Sequence, residues 1–419
     1  MLVLVECVGS AGDVHPFVGV ARELVARGHE VVLLTNEHFR DTVTRAGVGF
    51  HAVAPASAYD ELTRNPDLWH PMKGGKVVMG STVEHLLEPT LAALLERIRP
   101  GETVLFGSTL AFAAHCAAEI TGTPLVLGHL APSILRSVHR PPQFLGVWMP
   151  PASPTWWKRL TYRLADVMVD GIVCPKLNAV RAQHGLAPVR RVFQHWLNDA
   201  HAVAALFPAW FGTPQPDWPR NVHCLGFPLF DDGDTRAPDP ALDAWLADGD
   251  APLVFTLGSA NIHTGPFLRT SAAAARALGR RALLVTVNAD AVRGLTDDAA
   301  RHAQYAPFGA VLPRAAAFVS HGGIGSVAQG LAAGVPQLVV PMGFDQLDNG
   351  SRVAEAGAGT VLPLARYTER RATDALRALL ADADIAASAR RAATRVREGD
   401  ARKAAADLVE GALPAYSKT

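Results

Sequence analysis

The chain has four cysteines in 419 residues, Cys7, Cys116, Cys174 and Cys224, with no CxxC among them. That scarcity excludes a disulfide framework and a thiolate zinc centre and fits a reducing compartment, so all four read as core or loop thiols. Neither sign of charge is in excess, since Lys+Arg and Asp+Glu number 39 each. The balance excludes the basic footprint of a nucleic-acid binder and the acidic tail of a solvating segment. No uninterrupted apolar run approaches the roughly 18 residues of a membrane span, and the opening LVLVECV lacks the basic region and cleavage site of a signal peptide. The chain is therefore expected to be cytoplasmic, with at most peripheral contact at the inner face of the membrane. A short-period repeat and a low-complexity tract are also lacking.

What is present is an alternation of short Val- and Leu-rich runs with longer amphipathic stretches, the pattern of parallel sheets covered by helices on both faces. Strands are expected near residues 2–8, 31–35, 103–107, 125–130 and 202–206, with helices near 16–27, 38–46, 82–98 and 110–121. A second series begins near 253 with PLVFTLGS, RALLVTV, AAFVSHG and PQLVVP as strands, and helices near 265–279, 325–333, 349–356, 368–381 and 384–396. Between the series, FPLFDDGDTRAPDP carries prolines and acids that cannot sustain a helix or central strand. The length is too great for one ordinary core. These features predict an α/β protein of two Rossmann-like, doubly wound domains facing a cleft. The boundaries are 1–207, a linker at 208–240, a second domain at 241–397, and a C-terminal helix and tail at 398–419 expected to cross back to the first domain.

The chemistry concentrates in VSHGGIGSVAQGLAAGVPQLVVPMGFDQLDN, residues 319–349. Here His321, Gly322, Gly323, Gly325 and Ser326 would open a helix, whose N-terminus carries unpaired N–H groups and suits a phosphate. The glycines remove side chains that would block the anion. Ser326 would add a hydroxyl, His321 a directed N–H, and Ser259 on the facing loop would reach the same charge without a metal. The plainer reading is a tight turn with a buried histidine. The Asp345–Gln346 pair beyond the next strand suits a polyhydroxylated neighbour.

Taken together, Tyr305 to Asn349 resembles the donor-binding signature of family 1 glycosyltransferases of the GT-B fold. The likeness extends through GSAGDVHPF, LFPAWF, DWP and GFPLFD to nearly the whole chain, and these phrases are most similar to the rhamnosyltransferases of bacterial rhamnolipid synthesis. The resemblance implies that the first domain binds an acceptor and the second a nucleotide sugar. By position it places His321 and Ser326 on a diphosphate, helped by Ser259, with Asp345 and Gln346 on the sugar and Tyr305 stacked on the base. Gln329 departs from the pattern, because many relatives using UDP-sugars have a glutamate there for both ribose hydroxyls. An uncharged amide suits a 2′-deoxyribose, hence dTDP-L-rhamnose as co-substrate; weaker binding of an ordinary ribose is the alternative.

An acceptor hydroxyl needs a base. Many plant-type relatives use a histidine where this chain has Ala11; relatives acting on glycopeptides use an aspartate that matches Asp13. Asp13 is taken as the base, with His15 in reserve, although Asp13 is also a natural cap for a helix starting near His15-Pro16. GSAGDVHPFVG lacks the GxGxxG spacing of a nicotinamide enzyme. Asp231, Asp232 and Asp234 read as a solvated hinge rather than a metal-binding DxD, and no metal is expected. The aromatic segment 137–160 supplies Phe144, Trp148, Met149, Trp156 and Trp157 for a greasy channel, with Arg136, Arg140, Lys158 and Arg159 for a carboxylate; burial of a long loop on its own domain is the alternative. A β-hydroxy fatty acid or its dimer is the expected acceptor, with association with the enzyme that makes it. Polyketide or terpenoid alcohols fit the same lining. A sugar-nucleotide 2-epimerase and a non-catalytic binding partner are the further alternatives.

Overall fold

A computed structural model describes residues 1–413 apart from Trp148, Asp232 and residues 234–238. The chain divides into two compact units. The first takes in Met1–Gly9, Asp13–Pro228 and the chain from Asp400, and the second Ser10–Gly12 and Leu229–Gly399.

In the first unit seven parallel strands run β1 (Leu2–Glu6), β2 (Glu30–Asn36), β3 (Gly49–Ala54), β4 (Thr103–Ser108), β5 (Leu125–His129), β6 (Ala202–Ala205) and β7 (Val222–Cys224). Their spatial order is β3-β2-β1-β4-β5-β6-β7. Every residue of β1 is buried, as a central parallel strand covered on both faces requires. One face is packed by Leu87, Leu94, Phe112, Val173, Leu177 and Trp196. The other carries the helix Ala11–Ala26, whose Phe17 lies so close to Gly128 that a Cβ there would meet its ring at 2.8 Å.

The C-terminal helix Ala401–Glu410 belongs to this first unit. The Arg27 guanidinium donates to Asp407 Oδ1 at 2.6 Å and Glu410 Oε2 at 2.8 Å, and His29 Nε2 lies 2.6 Å from Glu410 Oε1.

The second unit has six parallel strands, β8 (Leu253–Thr256), β9 (Ala282–Val285), β10 (Ala300–Ala303), β11 (Ala317–Ser320), β12 (Gln337–Val339) and β13 (Gly359–Val361), in the order β10-β9-β8-β11-β12-β13. In each unit the connections leave one central pair in opposite directions, β1 with β4 and β8 with β11. Such a switch point opens a crevice beyond the carboxyl ends of the strands.

Several elements differ from the sequence reading. The helix expected at 82–98 is a helix Gly74–Ser81, a π-helical turn Thr82–Leu86 and a helix Leu87–Arg97. Pro89 lacks an N–H and is tolerated only near a helix start, so the ladder is rebuilt just ahead of it. A 29-residue helix, Thr155–Gln183, occupies part of the segment read as irregular. The first helix begins at Ala11, not near His15, and the helix expected from 349 begins at Gln346.

Candidate active site

Three consecutive loops of the second unit, after β8, β11 and β12, meet at its switch point. After β11 the chain turns through His321, Gly322 and Gly323 into the helix Ile324–Ala333. Gly322 has φ +90°, and a Cβ there would lie 2.5 Å from Val339 Cγ1 and 2.9 Å from the Gln346 carbonyl oxygen. Only glycine fits this turn. The imidazole of His321 is clamped in the same way: a Cβ on Gly323 would lie 2.5 Å from its Nε2 and one on Gly258 2.7 Å from its Cε1. His321 is 8% exposed, and burial pulls its pKa down to about 4. The ring is therefore neutral at ordinary pH and offers an N–H, not a charge.

No side chain caps the helix Ile324–Ala333, and its first turn holds no acid. Its leading N–H groups thus have no side-chain cap and lie beside His321, an arrangement able to take an anion. Ser326 and Gln329, three residues apart, share one side of this helix and are both half-buried. Ser259, expected on the facing loop, is exposed directly after Gly258. Tyr305 follows the edge strand β10, two strands out from β8, and is half-buried.

The loop after β12 places its two expected residues differently. Asp345 precedes the first residue of the helix Gln346–Glu355. Gln346 is 2% exposed, and its Oε1 accepts from Met342 N at 2.9 Å and Gly343 N at 3.1 Å. Gln346, the residue the resemblance assigned to a sugar, therefore braces the loop with its side-chain oxygen. Just ahead of Asp345, Phe344 has φ 51°, an uncommon and costly conformation for a non-glycine residue.

Sequence reasoning missed the residue that joins these loops. Asn349, fully buried, donates from Nδ2 to the Gly322 carbonyl at 3.0 Å and to Asp345 Oδ2 at 2.7 Å. It sets the glycine turn and the acid in one frame. Its signal was a lone amide on the inner side of a helix. Asn261 makes a similar tie, from Nδ2 to Met342 Sδ at 3.5 Å, between the loops after β8 and β12.

In the first unit, β1 runs into Gly9 and the helix Ala11–Ala26. Asp13 is the third residue of that helix rather than a cap ahead of it. Its carboxylate folds over Gly9, where a Cβ would lie 2.3 Å from Oδ2. His15, one position beyond Val14, is half-buried. Sequence reasoning also passed over Glu6, whose buried carboxyl accepts from Ala114 N at 2.5 Å. Burial pushes its pKa up to about 8. An acid inside the apolar run LVLVECV was its signal.

The aromatic segment is less open than expected. Phe144 and Arg140 are half-buried, Met149 is 6% exposed, and Trp148 lies outside the described residues. Two cations expected for a carboxylate are committed internally. Arg136 pairs with the buried Asp166, and Lys158, 5% exposed, donates to the carbonyls of Val138 and Pro151 at 2.9 and 2.6 Å. A cavity of about 610 Å³ lies instead against Leu135, Arg136, Phe193, His195, Trp196 and Trp218. Asp231 accepts from Gly233 N at 2.8 Å and Gly309 N at 2.9 Å, anchoring the linker; Asp232 and Asp234 lie outside the described residues.

Residues 3–138 match the glycosyltransferase family 28 N-terminal domain, and residues 281–410 the C-terminal domain of erythromycin biosynthesis protein CIII-like proteins. The chain is 31% identical over 405 residues to O-mycaminosyltylonolide 6-deoxyallosyltransferase of Streptomyces fradiae, covering 93% of this chain and 92% of the relative. Among solved structures, the glycosyltransferase of kitacinnamycin superposes with a TM-score of 0.75 at 22% identity, over 99% of both chains. The spinosyn rhamnosyltransferase SpnG complexed with thymidine diphosphate does so with 0.67 at 22% identity, over 97% of this chain and 100% of that one. Two parallel-sheet Rossmann-like units, an uncapped helix end beside a clamped histidine, and these likenesses lead to one conclusion: the chain belongs to the family 1 glycosyltransferases of the GT-B fold.

Proposed function

We propose that this enzyme moves a 6-deoxyhexose, first of all L-rhamnose from dTDP-L-rhamnose, to a hydroxyl of a polyketide or similar hydrophobic natural product. The carrying observation is the neutral His321 clamped beside the uncapped helix Ile324–Ala333, a charge-free donor set suited to a leaving diphosphate. Asp13 takes the acceptor proton as the acceptor oxygen bonds to the anomeric carbon. The bond from that carbon to the diphosphate breaks on the opposite face, so configuration inverts. The departing oxygen keeps the electron pair, and no metal is invoked.

The uncharged Gln329 supports a deoxyribose donor, as does the thymidine diphosphate of the SpnG complex. The activity named for the Streptomyces fradiae relative supports a deoxysugar and a natural-product acceptor. The hydroxy fatty acid acceptor has less behind it, because Arg136 and Lys158 are already engaged. The test is incubation with dTDP- and UDP-sugars, with and without macrolide and hydroxy fatty acid acceptors, followed by mass spectrometry. Product that requires both substrates and persists with chelator supports the reading. An epimerised sugar nucleotide without acceptor, or turnover abolished by chelator, overturns it.

A further inference from the structure

The helix Thr155–Gln183 buries one side through Val173, Leu177 and Val180. Its opposite side is apolar yet exposed: Trp156 is 66% exposed, Leu160 41%, Leu164 57%, Val167 71% and Met168 59%. Spacings of four, eight, eleven and twelve residues from Trp156 put these side chains on one stripe. At 1.5 Å per residue the stripe is about 18 Å long. Exposed large apolar side chains elsewhere on the described surface, Met72, Val147 and Val287, form no such row.

The charges on this helix are sorted. Arg159 and Arg163 are exposed along one edge of the stripe, each next in sequence to one of its leucines. The nearby acids are turned away: Asp166 is buried and pairs with Arg136 and Arg191, and the Asp170 carboxylate accepts from the backbone N–H groups of Arg191 and Val192. Self-pairing of this face would set arginines against arginines with no carboxylate to answer them. A surface that is anionic outside and apolar beneath answers both features. No described helix is long and apolar enough to cross a membrane, so the contact would be interfacial.

We infer that this face docks on the surface of an anionic phospholipid bilayer. Trp156, Leu160, Leu164, Val167 and Met168 enter the boundary between headgroups and acyl chains, while Arg159 and Arg163 meet lipid phosphates. The inference is independent of the donor assignment and moves Trp156 and Arg159, read from the sequence as acceptor-lining, to the lipid surface, where a hydrophobic acceptor would also be concentrated.

The test is flotation of the full-length protein with vesicles of phosphatidylcholine alone or mixed with phosphatidylglycerol. Wild type is expected to float with the mixed vesicles, less so as salt rises. Leu164→Glu with Val167→Glu should lower the bound fraction at least about tenfold without changing the melting temperature or sugar-nucleotide hydrolysis. Arg159→Gln with Arg163→Gln should abolish the preference for the anionic lipid. Independently of the glutamate variant's folding, mixed vesicles should shift wild-type tryptophan emission to the blue, and Trp156→Phe should diminish that shift. Wild type that stays unbound, flotation unchanged in both double variants, or a dimer in light scattering that the glutamate variant dissolves would overturn the inference, the last by making the face a contact between copies.

Discussion

The first unit and the second each end a central strand in a glycine turn and open a helix, yet the two helix ends differ in what they hold. Asp13 and Ser326 are both the third residue of their helices, Ala11–Ala26 and Ile324–Ala333. In the first unit the helix end holds its own acidic side chain, the Asp13 carboxyl lying over Gly9. In the second unit the same position carries a hydroxyl, and the first turn has no acid. One arrangement holds a carboxylate; the other leaves its helix end without an acid. A single side chain at the third helical position thus distinguishes two helix ends of one local fold.

The most disruptive way to break the comparison is Asp13→Asn. If Asp13 is the base, kcat should fall by about 10²- to 10⁴-fold with the donor KM and the melting temperature unchanged; a kcat loss that tracks a fall in melting temperature would mark a residue that served only the fold. Making the second helix end like the first comes next. Ser326→Asp should weaken thymidine diphosphate binding by about a hundredfold, since like charges near a protein surface repel by several kcal/mol. The variant's melting temperature should hold or rise, because an acid in the first turn suits the helix end. Calorimetry with thymidine diphosphate would decide it.

His321→Asn should cost roughly tenfold in diphosphate affinity, the scale of one hydrogen bond to a charged group. Its pH dependence is sharper. Folded His321 stays neutral down to about pH 4, whereas an unfolded histidine binds a proton near 6.5. The unfolded chain therefore takes up more protons between those values, so the stability this residue contributes is full above about 6.5 and is lost as pH falls toward 4. The stability gap between wild type and His321→Asn should narrow over that range in urea titrations. Glu6, with its raised pKa, works the other way, losing its contribution as pH rises from about 4.5 toward 8.

Asn349→Ala should lower the stability of the second unit by about 1 to 3 kcal/mol, the cost of leaving buried groups unpaired, and raise donor KM a few-fold as the turn at Gly322 loosens. The smallest effect belongs to Gln329→Glu, which should shift the ratio of UDP- to dTDP-sugar use by a few-fold toward UDP. A ratio that does not move would leave the deoxyribose argument without support.

Much of the glycine turn after β11 was legible because its geometry is local. A histidine, closely spaced glycines and a serine suggest a turn into a helix, and a helix start can be read from a few neighbouring residues. The acid-amide pair was legible as a pair but not in its division of labour. Gln346 turns inward to hold Met342 and Gly343 because the backbone donors of that tight loop need an acceptor. The long helix Thr155–Gln183 was illegible for the opposite reason. With Val173 and Leu177 on one side and Leu164 and Val167 on the other, apolar residues face both ways and the helical period blurs. Arg136 and Lys158 looked available because an ion pair or a donated bond across many residues leaves no trace in local spacing.

By itself the sequence determined the class of fold, two parallel-sheet units with helices between their strands, and the place of the glycine turn ahead of the helix Ile324–Ala333. Both follow from periodicity and from residue chemistry within a few positions. Only tertiary structure decided which side chains are spent within the protein. Asn349 became the tie between Gly322 and Asp345, His321 became a neutral ring clamped between Gly258 and Gly323, and two cations left the acceptor side for internal partners. Those outcomes depend on burial and on contacts between distant segments, where desolvation and the need to pair every buried polar group set the roles.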